Sequence, residues 1–142
     1  MISAAGASAT TAILRLLAVD DDPAEFALLE DAFSRCGMEV DLLTATSAPF
    51  ALAELTLGGE GRRPHAALVD INMPLVSGFD LAVEMIREGV PTILMSNQVT
   101  GERAARASGL GVLDLLAKPN DAAGYTAFAA RVLRILRSAG AY

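Results

Sequence analysis

Residues 66–74, Ala-Ala-Leu-Val-Asp-Ile-Asn-Met-Pro, constrain the possible fold more than any other stretch of the chain. Four apolar residues run directly into Asp70, and Pro74 turns the chain soon afterwards. A short unbroken apolar run bounded by turn residues reads as a strand buried on both faces, as in parallel sheets. Such a strand delivers Asp70 to the carboxyl edge of the sheet, where open α/β folds bind their ligands. A buried carboxylate without partners is costly, so Asp70 requires a cation, hydrogen-bond donors or an open cleft beside it.

The rest of the chain supplies that setting. Residues 13–19 are apolar apart from Arg15 and end on Asp20, Asp21 and Asp22. Asp22, Pro23 and Glu25 fit a helix start, with Asp22 as N-cap, and this leaves Asp20 and Asp21 at the strand end. Phe26, Leu29, Phe33 and Cys36 form the buried stripe of that helix, and Gly37 stops it. Residues 39–45 alternate weakly and carry Glu39 and Asp41, which suits an edge strand. Ser47 caps a second helix with Phe50, Ala53 and Leu57 facing inward. Residues 58–64 form a polar, glycine-rich surface insertion; no Lys-Ser or Lys-Thr follows, as a phosphate loop would need.

Ser77-Gly78 opens a third helix with Phe79, Ala82, Val83 and Ile86 inward, and Gly89 closes it. Pro91 leads into a fourth strand, residues 92–95, that ends on Ser96. Residues 100–108 make a short helix with few large apolar side chains, weakly anchored and therefore mobile. Residues 111–117 form the fifth strand, ending on Lys118-Pro119. Asn120 or Asp121 caps the last helix, whose inner face is Tyr125, Phe128, Val132 and Ile135. Strict alternation of five strands and five helices predicts an α/β doubly wound five-stranded parallel sheet, order 2-1-3-4-5. Its site lies where strands 1 and 3 end.

A chain of 142 residues suits one domain, expected over residues 12–142 after a frayed tail at 1–11. That tail is rich in Ala and Ser and has no basic side chain, which argues against a signal peptide. No apolar run approaches the length of a membrane span, about 18 residues or more. The net charge of −6 makes a nucleic-acid surface an unsuitable main function and is compatible with holding a divalent cation. The single cysteine cannot form an internal disulfide, which fits a reducing cytoplasm. Cys36 reads as core and His65 as structural.

Parallel strands share a direction, so Asp20, Asp21, Asp70, Ser96 and Lys118 meet at one sheet edge. Three crowded carboxylates call for a hard cation such as Mg²⁺. Ser96 and Lys118 suit the oxygens of a phosphoryl group, which places Asp70 as a carboxylate that accepts phosphate. Val-Asp-Asp-Asp-Pro, Val-Asp-Ile-Asn-Met-Pro and Lys-Pro, in this order on these strand ends, resemble the receiver domain of response regulators from two-component signalling.

The resemblance implies Mg²⁺ on Asp20, Asp21, Asp70 and the backbone carbonyl of Asn72. It also implies phosphorylation of Asp70, Ser96 as the switch hydroxyl, Lys118 as the phosphoryl contact, and a cis bond before Pro119. The implied partners are a sensor histidine kinase or phosphotransfer protein and a downstream protein target, with a homodimer as a further option. Neither nucleic acid nor a membrane is expected, and the location implied is cytoplasmic. With no output domain after the last helix, a stand-alone signalling protein is expected rather than an enzyme. The Asp-Pro start and polar first helix also resemble, more weakly, small receivers that partner phytochrome-type kinases.

Two positions depart from the family pattern. Leu115 stands where Tyr or Phe is common, and Asn97 where a small residue is common. The readout is therefore expected through residues 97–109 rather than through an aromatic rotamer. Arg131, Arg134 and Arg137 on the last helix read as solvated charges near its carboxyl end, or else as a docking stripe for an acidic partner or a second protomer. A haloacid-dehalogenase-like phosphatase also uses Asp, Ser, Lys and Mg²⁺. It would want Asp-x-Asp near the amino terminus, whereas here the acceptor is mid-chain and the second Asp is Asn72. A phosphorylation-independent module on the same fold would usually lack the acidic pair or the lysine.

Overall fold

A computed structural model describes residues 13–57 and 60–142; the tail expected at residues 1–11 lies outside them. The chain alternates β1 (Leu14–Val19), α1 (Ala24–Arg35), β2 (Val40–Ala45), α2 (Ala48–Leu57), β3 (Ala66–Asp70) and α3 (Gly78–Arg87). It continues through β4 (Thr92–Ser96), α4 (Gly101–Leu110), β5 (Asp114–Ala117) and α5 (Gly124–Ser138). All strands pair in parallel, in the order β2-β1-β3-β4-β5, as the alternation predicted.

Register is what positions the site. Val19 pairs with Val69 and Asp70 with Met95, so the residues that follow β1 and those that end β3 sit side by side. Ser96 pairs with Ala117, and the Lys118 N–H donates to the Ser96 carbonyl at 2.8 Å. The central strands are buried on both faces because alternate residues serve two cores. Leu16, Leu68, Ile93 and Met95 pack with Leu29, Phe33, Phe128 and Val132 under α1 and α5. Leu17, Val69 and Leu94 pack with Ala51, Leu55, Phe79 and Met85 on the other face.

Helix phase departs from expectation in places. In α2, Ala48, Ala51 and Leu55 face inward, while Phe50 and Leu57 are 65% and 79% exposed. The alanine face lets the helix lie close to the sheet, and proximity decides over side-chain size. In α3, Phe79 and Ala82 are buried as expected, joined by Leu81 and Met85, whereas Val83 and Ile86 are half-buried. In α5, Tyr125, Phe128 and Val132 are buried with Ala129, Leu133 and Leu136, and Ile135 lies at the margin of this wide stripe. Phe26 and Cys36 are half-buried beside Leu29 and Phe33.

Helix starts follow the same logic. The hydroxyls of Ser47, Ser77 and Thr100 accept the N–H groups of Phe50, Phe79 and Arg103. Asp22 accepts from Ala24 at 3.0 Å, but Pro23 occupies the N-cap position. Glu25 does not close a capping box and instead accepts the Tyr125 hydroxyl, joining α1 to α5. Before α5, Asp121 takes the Gly124 N–H at 2.9 Å, with Ala123 at the N-cap. The bond before Pro119 is trans, the intrinsically favoured form, and not cis as the resemblance implied.

His65 is structural: its Nδ1 accepts the Arg15 N–H at 2.8 Å, extending the β1–β3 pairing. The end of the 58–64 insertion is held by the Arg63 guanidinium, which donates to the Glu88 carbonyl. On α5, Arg131 lies 3.7 Å from Asp114, and Arg137 stacks 5.7 Å from the Tyr142 ring. Two of the three arginines thus have partners within the chain.

Candidate functional site

Three polar residues at the strand ends are withdrawn from solvent: Asp20 and Ser96 at 0% exposure and Asp70 at 2%. Each buried carboxylate is oriented by its own loop. Asp20 Oδ1 accepts the Asp22 N–H at 3.0 Å, and Asp70 Oδ1 accepts the Asn72 N–H at 2.9 Å. The other oxygens share one ammonium, with Lys118 Nζ 2.7 Å from Asp20 Oδ2 and 3.1 Å from Asp70 Oδ2. Lys118 therefore bridges the two buried acids, a contact that reading Lys118 as a phosphoryl donor did not anticipate.

Burial is the main influence on Asp20 and lifts its carboxyl from 3.8 to about 6, with Lys118 and the Asp22 amide opposing the rise. Burial alone would lower Lys118, but the adjacent Asp20 and Asp70 carboxylates outweigh it and raise the ammonium above its ordinary value. Asp21 is exposed at the rim, and oxygens of Asp20, Asp21 and Asp70 lie within 4.8 Å of one another. Around a small octahedral cation, ligand oxygens stand about 3 Å apart when adjacent and about 4.2 Å apart when opposite. Three carboxylates facing one ammonium leave a formal excess of negative charge. The donor chemistry fits a hard divalent ion, and the three carboxylates are close enough together to share one.

Ser96 is present at the edge but turned elsewhere. Its hydroxyl donates to the Gln98 carbonyl at 2.9 Å and accepts the Gln98 N–H at 3.2 Å. Arg103 Nη1 reaches back from the first turn of α4 to Ser96 Oγ at 2.9 Å and the Gln98 carbonyl at 2.8 Å. The fold thus gathers Asp20, Asp21, Asp70 and Lys118, while the Ser96 hydroxyl faces its own loop.

Sequence reasoning missed Arg103. Its signal was the Thr100 cap, since helical side chains in a first turn point back over the N-terminus. Only Ala107 of α4 is buried, as the composition of that helix predicted. Arg106 adds a second tether by stacking 4.3 Å from the centre of the Phe79 ring.

The family model for the response regulator receiver domain matches residues 16–128. The chain is 36% identical over 108 residues to the DNA-binding transcriptional regulator NtrC of Bradyrhizobium sp. (strain RP501 Parasponia), covering 75% of this chain and 21% of that protein. It is 29% identical over 133 residues to protein-glutamate methylesterase/protein-glutamine glutaminase 3 of Burkholderia thailandensis, covering 90% of this chain and 36% of that protein. The chain therefore spans only about a fifth to a third of these relatives. The phosphorylated cyanobacterial phytochrome response regulator RcpA shares the fold, with a TM-score of 0.77 at 18% identity, over 90% of this chain and 96% of that one. The chain belongs to the response regulator receiver domain family of two-component signalling.

Proposed function

We propose that the protein accepts a phosphoryl group on Asp70 from a phosphohistidine of a sensor histidine kinase or phosphotransfer protein. It then signals by a phosphorylation-dependent interaction with a downstream protein. One observation carries this reading: Asp70 is buried, with one oxygen held by the Asn72 amide and the other beside Lys118. A carboxylate oriented in this way can attack phosphorus in line. The new bond joins an Asp70 oxygen to phosphorus as the phosphorus–nitrogen bond breaks, and the donor imidazole leaves with the electron pair.

Lys118 supplies positive charge to the transferring oxygens, which requires it to relax its hold on Asp70. Asp20, Asp21, Asp70 and the Asn72 carbonyl would hold Mg²⁺. When bound, the ion supplies Lewis-acid neutralisation of phosphoryl charge. The chain itself is read as a signalling domain rather than an enzyme, acting in the cytoplasm. One free cysteine supports this placement, and among the described residues no helix is long and apolar enough to cross a membrane.

Acetyl phosphate with Mg²⁺, followed by peptide mapping, tests the assignment. Label is expected on the peptide carrying Asp70 alone; label confined to another peptide overturns it. Mg²⁺ would be held chiefly by Asp21 and Asp70, with Asp20 contributing less directly, and would supply its charge before the phosphoryl group is transferred. Calorimetric titration of Asp21→Ala should show Mg²⁺ affinity weakened at least about tenfold, roughly 1.4 kcal/mol or more. Equal affinity in the variant and the wild type contradicts this ligand set.

The signal leaves through the β4–α4 loop and α4. Leu115 is buried and offers no aromatic ring to swing, while α4 is lightly anchored. Ser96→Ala should still take up phosphate on Asp70 and yet lose most of the phosphorylation-dependent change in hydrogen exchange across residues 97–109. Exchange differences centred on α1, with residues 97–109 unaltered, would contradict this route.

A further inference from the structure

We propose that Arg103 is a positioning residue that holds the Ser96 hydroxyl away from Asp70, so that phosphorylation has to break an arginine clamp before the switch can close. This rests on the reading of Asp70 as acceptor. A serine hydroxyl has one proton and two lone pairs. In Ser96 all three are committed: the proton to the Gln98 carbonyl, and the lone pairs to the Gln98 N–H and Arg103 Nη1. The same guanidinium nitrogen donates to the Gln98 carbonyl, so one charged group secures both the hydroxyl and the loop that receives its proton. Ser96 is fully buried, so its side of these bonds is withdrawn from water, while the Gln98 carbonyl that Arg103 also holds lies at the surface.

A phosphoryl oxygen on Asp70 can accept from Ser96 only if the hydroxyl gives up the Gln98 carbonyl and turns. Turning also removes the acceptor from Arg103. Two effects of Arg103 then oppose each other. Its positive charge attracts a phosphoryl group nearby, but that attraction is screened because the side chain is half-exposed. Its hydrogen bond to the buried hydroxyl, charge-assisted and part-buried at 2.9 Å, is a direct contact and less screened than that longer-range attraction, so the clamp is the larger effect.

Arg103 begins α4, whose sole buried residue is Ala107, so releasing the guanidinium also loosens the helix expected to carry the signal. Arg103 already lines a cleft of about 530 Å³ together with Asn72, Ser77, Phe79, Glu102 and Arg106, and release would free its guanidinium within that cleft. A local bond at Ser96 is thereby coupled to a surface that a partner can read.

The test is the affinity of the full chain for beryllofluoride in the presence of Mg²⁺, followed by calorimetry and ¹⁹F NMR. Four proteins are compared: wild type, Arg103→Ala, Ser96→Ala and the double variant. Arg103→Ala should bind roughly three- to tenfold more tightly than wild type, the scale of one lost hydrogen bond. In the Ser96→Ala background the same change should have no effect, which a general loosening of α4 would not produce. Arg103→Gln, which keeps a neutral donor, should fall between wild type and Arg103→Ala. Tighter binding of equal size in both backgrounds, or unchanged or weaker binding in Arg103→Ala, overturns the clamp and leaves Asp70 as acceptor. No uptake by the wild type overturns the acceptor reading and the clamp together.

Discussion

Asp70→Asn should reduce phosphoryl uptake from acetyl phosphate to background while leaving the protein folded. The amide keeps the shape of the carboxylate, and its oxygen can still accept the Asn72 N–H that Asp70 Oδ1 accepts at 2.9 Å. It lacks a charged oxygen to attack phosphorus. The amide nitrogen would face Lys118, donor against donor, but Lys118 already sits 2.7 Å from Asp20 and can settle there. Removing one negative charge from a crowded cluster also relieves repulsion. Thermal unfolding should therefore give a midpoint at or above that of the wild type. Uptake at the wild-type level by a folded Asp70→Asn protein would falsify the assignment of the acceptor.

Gly78→Ala should be severely destabilising although it adds a single methyl. A Cβ at Gly78 would lie 2.2 Å from the Asp70 carbonyl oxygen, 2.6 Å from Ile71 Cα and 2.8 Å from the Asp70 carbonyl carbon. Each of these is a backbone atom, so no side chain can swing aside. The Gly78 N–H also donates to the Ile71 carbonyl at 3.3 Å, so α3 begins in contact with the end of β3. Relief requires moving α3 or the strand end that carries Asp70.

The expected loss in denaturant unfolding is about 3 kcal/mol, the upper range of overpacking costs. Phosphoryl uptake should slow as Asp70 is displaced. Gly61→Ala, with open space around its Cβ, is the matched control and should stay within about 0.5 kcal/mol of wild type. Similar stability of the two variants would mean that the crossing at Gly78 relaxes easily.

The edge on which the site stands was legible in the sequence for a simple reason. Each of β1, β3, β4 and β5 is a short apolar run that ends on or just before a polar residue. Parallel strands must then bring Asp20, Asp70, Ser96 and Lys118 to one side. Strand order and the acidic grouping follow from local composition together with the constraint of right-handed crossovers.

What the tertiary structure decided is the orientation of groups that meet across long stretches of chain. Lys118 lies 98 residues from Asp20 and 48 from Asp70, and no local pattern says that one ammonium will serve both. The outward turn of Phe50 depended on which face of α2 could approach the sheet, a contest between shape and size settled by the facing strands. The Ser96 hydroxyl faces Arg103 because the Thr100 cap sets the phase of α4, and the contact of Gly78 with β3 exists only once α3 has docked. Strand composition determined where the chemistry would gather. Helix phase and rotamers, which answer to through-space contacts rather than to neighbours in sequence, decided which way each group points.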